Sequence, residues 1–421
     1  MKKNDNMFIF ILKKVYYFFS ALFLFFLFSI QKLIFIRIGC IYNNKIGHLA
    51  GNTQIYLYKK KLKKRFNLTN NSLFQIDLWF SSGEETFPII ENFYKKKLLK
   101  LPKIFLVGAY HLALRNSYFE KFIINEHDWG LDLFNLNFKK KSENLLSKNQ
   151  IIFAENELKK IGVYPKDKLV CFINRNNFYN KNIIKDKSLI KINEYRNSNF
   201  DDYLLAAKYL ADKGYKIIRL GSHNKNFKNK YVINYSSSRI CNFLIDIFLL
   251  KKAKLIVSSG TGIDIVASQY FKKQICYVNL IPYLGIHSFK FDPKGVFLTK
   301  KLTIKGKLLS LKEIYRDNHF SKVRSDLYYK AGIKILNNSK KEILECVKEF
   351  YQLNIKNYKY NKKEQLLQKR FYKIINNNLY KSASYKDPLG LRTNLKLSLG
   401  QKPSANFSLH FLKKNPEFLK E

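Results

Sequence analysis

Acidic side chains are scarce in this chain: 31 Asp and Glu stand against 77 Lys and Arg, a formal net charge of +46 over 421 residues. Gly (17) and Pro (8) are scarce as well, while Lys, Asn, Ile, Phe and Tyr abound. Mutational bias produces usage of this kind, and the lysines agree with it by running along the whole chain without gathering into one basic arm. The same charge suits a protein resting on an anionic membrane surface. It also suits a nucleic-acid binder, but no RNP-type motif or localised basic helix is present, so nucleic acid is not an expected partner. Five cysteines, odd in number and without a CxxC pair, exclude a disulfide framework and a zinc site. Cys40, Cys171 and Cys276 sit in or beside strand-like apolar runs and read as small buried hydrophobes, which suits a reducing compartment. The seven histidines are scattered and there is no DxD motif, so no metal is expected. A dinucleotide fingerprint is missing too, and no cofactor is expected.

What is present begins with an apolar N-terminus. Val15 to Ile30 carries no charge and is bracketed by Lys13-Lys14 and Lys32. A bilayer crossing usually needs about 20 apolar residues, with a lower limit near 17. No small-residue cleavage site follows, which argues against a cleaved signal peptide. Residues 1–32 therefore read as a membrane anchor, either a short span or a helix lying in the interface. Lysines on both flanks leave its orientation open.

After the anchor, strand-like and helix-like runs alternate. Residues 33–40 and 72–82 read as strands, with a loop containing Gly47 and Gly51 and then a helix between them, and a further helix in "TFPIIENFYKKKLLK". Residues 104–150 show neither period cleanly. A second series starts at "KLVCFIN" (168–174) and continues through the helix "FDDYLLAAKYLADKG", the strand "YKIIRLGS" and the helix "ICNFLIDIFLLKKA". This βα alternation predicts parallel sheets with crossover helices, in two Rossmann-like domains facing across a cleft. The expected organisation is an anchor over 1–32, domains over 33–165 and 166–340, and a helical, Lys/Asn-rich extension over 341–421.

The most informative stretch is "KLIVSSGTGIDIVASQYF", Lys254 to Phe271. A strand ends in Ser258-Ser259-Gly260-Thr261-Gly262, and a helix carrying Asp264 follows. Small residues at that junction let a ligand approach the backbone, where N–H groups and the helix dipole bind an anion. Neither a Walker A loop nor the full GxGxxG spacing is present.

Together, "IGHLAGNTQIYL", "VCFINRNN", "DDYLLAAKYLADKGYKIIRLGS" and "SSGTGIDIVA" resemble a large family of bacterial GT-B-type glycosyltransferases found with surface-polysaccharide genes. The likeness covers roughly residues 33–290. The donor loop is also similar to that of the lipopolysaccharide heptosyltransferases, although Asp264 stands where those enzymes carry His. The resemblance implies a metal-independent GT-B fold and transfer of a sugar from a nucleotide-sugar donor to a glycan or lipid-linked acceptor, at the cytoplasmic face of a bacterial inner membrane. A sugar epimerase of the same fold and a membrane-tethered nucleic-acid-binding protein are the rival readings.

Two residues are the catalytic candidates. His48 follows Gly47 in the first βα loop, where the heptosyltransferases place an Asp thought to act as base; imidazole can do that work near neutral pH. Asn52, one turn later, is available to orient His48 or to cap the helix. Arg175 follows the strand "VCFIN", where a guanidinium can clamp a diphosphate. Arg219 lies on a strand and needs a partner if buried. Ser222 and His223 end that strand; with Arg219, Ser222 joins Ser258, Ser259, Gly260, Thr261, Gly262 and Asp264 as candidate donor-site residues. Glu84-Glu85 are a second source of base, though paired acids at a helix start also serve as caps.

Overall fold

The computed structural model describes residues 2–61, 72–124, 142–176, 187–221, 227–289, 292, 294–379, 385–386, 392–393 and 404–420. Two compact units divide the chain, Met1–Gly130 and Leu131–Glu421. The boundary expected at 165/166 falls inside the second unit, because Ser142 and Glu143 both bond the carbonyl of Tyr270 (3.0 and 2.7 Å).

The first unit opens with helix α1 (Lys2–Ile30) and then alternates strictly: β1 (Ile34–Ile41), α2 (Ile46–Lys61), β2 (Phe74–Ser81), α3 (Pro88–Lys95), β3 (Leu99–Lys100), α4 (Lys103–Leu114), β4 (Ile123–Ile124). The four strands form a parallel sheet in the order β3-β2-β1-β4. Gly39 on β1 faces Trp79 of β2, whose ring atoms would lie 2.6 Å from any added Cβ. On the same strands Arg37 forms a buried ion pair with Asp77 (2.8 Å), and Tyr56 of α2 donates its hydroxyl to the same carboxylate. That carboxylate accepts from a guanidinium and a phenol, so its burial is compensated.

Helix α1, read from sequence as a membrane anchor, also packs onto the first unit. Ser20, Leu24 and Leu27 form a stripe at helical spacing that is buried, and the two leucines enter the first unit's core with Phe35, Ile38, Leu106, Ala109 and Tyr110. One stripe of the helix is therefore core, while Phe18, Phe19, Leu22, Phe25 and Phe26 stand exposed. Helix α2 starts at Ile46, so Gly47, His48 and Gly51 are helical and the expected loop is shorter. Glycine disfavours a helix by about 1 kcal/mol relative to Ala, but residues Leu49 to Tyr56 are all buried, and packing outweighs propensity here.

The second unit contains α5 (Lys148–Lys159), β5 (Leu169–Ile173), α6 (Leu204–Ala211), β6 (Lys216–Leu220), β7 (Val232–Ile233), α7 (Phe243–Lys252), β8 (Leu255–Ser258), α8 (Gly262–Phe271), β9 (Ile275–Leu280) and β10 (Val296–Thr299). Helices α9 (Lys340–Ile355) and α10 (Lys362–Leu379) and a short strand, Asn406–Phe407, follow. The seven-stranded sheet is parallel throughout, with the short strand at one edge followed by β10-β9-β8-β5-β6-β7. Every residue of β5, β8 and β9 is buried, as continuous apolar runs in a two-sided parallel sheet require. Counted within the unit, the first six strands follow the doubly wound order 3-2-1-4-5-6, so the winding reverses between β5 and β8.

Residues 341–421 were read as an extension, but their described parts are built into this unit. Tyr351 packs edge-on against Tyr209 and Tyr215. The Gln368 amide bonds both backbone groups of Phe407 (2.7 and 2.9 Å), and the Phe407 ring stacks on Phe371. These contacts add the edge strand to the sheet.

Candidate functional site

In open α/β sheets the crevice for ligands lies outside the carboxyl ends of the strands, where the winding reverses. In the second unit that point is flanked by Asn174-Arg175 after β5 and Ser259-Gly260 after β8. The Arg175 amide donates to Ser259 Oγ (2.8 Å), and the Ser259 amide to the Ile173 carbonyl (3.0 Å), tying the two strand ends together. Gly260 adopts φ +77°, a left-handed conformation that costs glycine nothing and other residues dearly.

The turn does not offer its backbone in the way the sequence suggested. Gly260 N–H donates to Ser258 Oγ (3.2 Å) and Thr261 N–H to Asp264 Oδ2 (2.6 Å), while Ser258 Oγ–H also donates to Asp264. Asp264 therefore organises the turn from inside, in a capping box with Thr261. Burial raises its pKa to about 6, against the pull of the hydrogen bonds from Ser258 and Thr261 and of the Arg196 charge. By position, the donors left without an intrahelical acceptor are the first-turn N–H groups of α8, at Gly262 and Ile263.

Positive charge is supplied from elsewhere. Arg196, which no motif or spacing singled out, reaches the Gly260 carbonyl through Nη2 (2.7 Å). Lys300, buried at the end of β10, donates to the carbonyls of Tyr195 and Asn197 and so fixes the turn that carries Arg196. Arg175 and Lys300 both feel the charge of Arg196. Burial first and the Arg196 charge second lower Arg175 to about 9, and the same two causes lower Lys300 to about 7. The Nε atoms of Arg175 and Arg196 are buried without a hydrogen-bond partner. Among the described residues neither guanidinium forms a salt bridge. Two guanidiniums with unpartnered Nε–H donors, beside a helix N-terminus, have the chemistry to bind an anion.

Below these groups a polar network holds the floor. Asn174 Nδ2 bonds the Ser198 carbonyl (3.0 Å), Ser198 Oγ meets the Tyr203 hydroxyl (3.0 Å), and Asn279 Nδ2 donates to Tyr203 (3.2 Å). Asn279 and Asn338 exchange backbone-to-side-chain bonds of 2.6 Å. Lys300 had a readable signal, since like Arg175 it follows a short apolar strand, whereas Arg196 had none.

Arg219 is placed differently. It is buried on β6 with its guanidinium over the rings of Phe200 and Phe227 (4.2 and 4.7 Å), and burial lowers its pKa to about 10 despite the Asp201 charge. Aromatic faces, rather than a carboxylate, lie against it, and its Nε too is buried without a hydrogen-bond partner. No contact links it to the glycine turn among the described residues. Ser222 and His223 lie outside the described residues.

In the first unit His48 occupies the opening turn of α2. Its ring lies 6.1 Å from that of Tyr42, and its Nδ1 is 3.5 Å from Asn52 Nδ2. Asn52 is buried in mid-helix with its Oδ1 unpartnered, so it faces His48 and does not cap. Asn43, also unflagged by the sequence, donates to the Gly83 and Glu84 carbonyls (2.9 and 2.8 Å) and joins the loops after β1 and β2. Glu84-Glu85 precede α3 instead of opening it. Glu85 pairs with Lys95 and Lys100 (2.9 and 3.3 Å), and Glu91 receives the amides of Thr86 and Phe87. Among the described residues no three His, Cys, Asp or Glu side chains group to hold a metal ion.

No protein-family model matches the chain, and no curated protein does. Solved structures similar to it include the following two. Escherichia coli ADP-heptose lipopolysaccharide heptosyltransferase II is 11% identical, with a TM-score of 0.37 and coverage of 64% of this chain and 92% of that one. A glycosyl transferase of family 9 from Veillonella parvula DSM 2008 is 9% identical, with a TM-score of 0.40 and coverage of 76% and 98%. Similarity at this level does not transfer a function, which has to be argued from the site.

Proposed function

We propose that this protein is a membrane-associated glycosyltransferase of GT-B type. It moves a sugar from a nucleotide-sugar donor to a glycan or lipid-linked acceptor in bacterial surface-polysaccharide or lipopolysaccharide synthesis, at the cytoplasmic face of the inner membrane. One observation carries the reading: Arg175 and Arg196 keep unpartnered buried Nε–H donors beside the first turn of α8, at the reversal point of a doubly wound sheet. A nucleotide diphosphate has the charge and the oxygen geometry to use them. The resemblance of the "SSGTGIDIVA" stretch to donor loops supports the same ligand.

In this reading the second unit binds the donor. Arg175, Arg196 and the first turn of α8 hold the diphosphate in the ground state, and they stabilise the charge that grows on it as the glycosidic bond breaks. The first unit supplies the acceptor side, with His48 taking the proton from the attacking hydroxyl and Asn52 orienting the ring. Charge neutralisation by guanidiniums makes a divalent cation unnecessary, so turnover is expected to persist in a chelator.

Thermal-shift titration with nucleoside diphosphates of each base is the direct test. A ligand at 100 times its Kd stabilises the folded state by about 2.7 kcal/mol, a readable rise in melting temperature. The absence of a shift with any of them would overturn the donor-site reading. Sugar conversion without any acceptor would instead favour an epimerase.

A further inference from the structure

We infer that α1 does not cross the bilayer but lies along its surface, with the start of α4 inserted beside it. The inference rests on the membrane attachment proposed above and specifies its mode. Residues Ile9–Ile30, 22 in all, are long and apolar enough to cross. Their packing, however, commits the helix to the folded unit. The Tyr16 hydroxyl donates to the Ile104 carbonyl and accepts from the Gly108 amide (both 2.8 Å), bridging one turn of α4. Gly108 permits this approach, since a Cβ there would lie 2.2 Å from Ser20 Oγ and 2.7 Å from the Tyr16 ring. Leu24 and Leu27 then reach the core, and Phe25 and Phe28 pack edge-on against Phe119.

From Tyr16 onward, α1 is thus held against α4, β1 and the 116–122 turn. A crossing needs about 20 residues within hydrocarbon, and α4, with 12, is too short to accompany it. Carrying this half of α1 across would drag turns and strand ends into hydrocarbon, where irregular backbone is not tolerated. An interfacial position avoids that. Phe18, Phe19, Phe25 and Phe26 of α1 and Ile104 and Phe105 of α4 are each more than half exposed, and Ile104 adjoins Tyr16. Lys13, Lys14 and Lys32 on α1 and its exit, with Lys103 at the start of α4 and Lys121 over the Phe28 ring, place positive charge around the apolar face. The partner is therefore the surface of a bilayer containing anionic phospholipid.

The test uses the full chain, carrying an epitope tag ahead of Met1, in sealed membrane vesicles. The exposed Cys241 of the second unit marks the outward face by its reaction with an impermeant maleimide. The expected result is that external protease removes the tag from the same vesicles without permeabilisation. Substituting Ile104→Glu together with Phe105→Glu should also lower membrane partition about tenfold. A tag protected until the vesicles are opened, with partition indifferent to the α4 pair, would show a spanning helix and overturn the inference while leaving attachment intact. A chain that stays in the soluble fraction would overturn both.

Discussion

His48 and Arg175 are asked to do different work, so their losses should differ in kind. His48→Ala is expected to leave donor affinity near its original value and to cut turnover about 10²–10⁴-fold, the usual share of general base catalysis. Separate measurement of Kd and kcat checks it. Lys300 gives a pH signature. Its ammonium is lowered to about 7 by burial and by Arg196, and an anion in the site favours the charged form. Affinity for a nucleotide sugar, whose diphosphate is esterified at both ends, should therefore strengthen as pH falls through about 7. Lys300→Arg, charged throughout, should flatten that step in calorimetric titrations. Folding runs the other way. Between about 7 and the ordinary lysine value of 10.5 the unfolded chain holds the proton and the folded one does not, so this residue's contribution to stability rises with pH across that window.

At the scale of elements, the glycine turn divides into two glycines with separate duties. Gly260 needs its positive φ, so any substitution there strains the turn itself. Gly262 opens α8, where valine is no worse than glycine as a helix former. Gly262→Val is expected to fold normally yet weaken nucleotide-diphosphate binding by roughly 1.5–3 kcal/mol, the worth of a charge-assisted hydrogen bond; a titration beside a melting curve reads both. The strands β5 and β8 and the turn between β8 and α8 were legible because they are unbroken buried apolar runs ended by small residues, and β1, β2 and β6 were legible although Arg37, Asp77 and Arg219 interrupt their apolar residues. The start of α2 was not, since Gly47 and Gly51 read as loop until tertiary burial is known. Nor was the role of Arg196. It depends on Lys300 reaching carbonyls more than 100 residues earlier in the chain, a pairing that no local spacing records. The strand Asn406–Phe407 was hidden because two residues are too few to show a period.

For the whole molecule, the charge of +46 sets solubility and the attraction to anionic surfaces rather than the fold. The N-terminal helix, proposed to lie on that surface, is also part of the first unit's core, so its removal is not innocent. Deleting residues 1–32 takes Leu24 and Leu27 out of the core, each loss of a buried Leu being worth about 2–5 kcal/mol. The truncated protein is expected to leave the membrane fraction and to melt earlier in its first unit, while the second unit still binds nucleotide; fractionation with calorimetry separates the three. Two guanidiniums with unpartnered donors are proposed to make the second unit a diphosphate site. Calorimetric titration of nucleoside diphosphates into the intact protein and into the Arg175→Ala/Arg196→Ala variant tests it most directly. Saturable binding to the first and a loss of about a hundredfold or more in the second are expected, at roughly 1.5–3 kcal/mol for each charged hydrogen bond removed. Equal affinity in both proteins, with the variant folded, would contradict it.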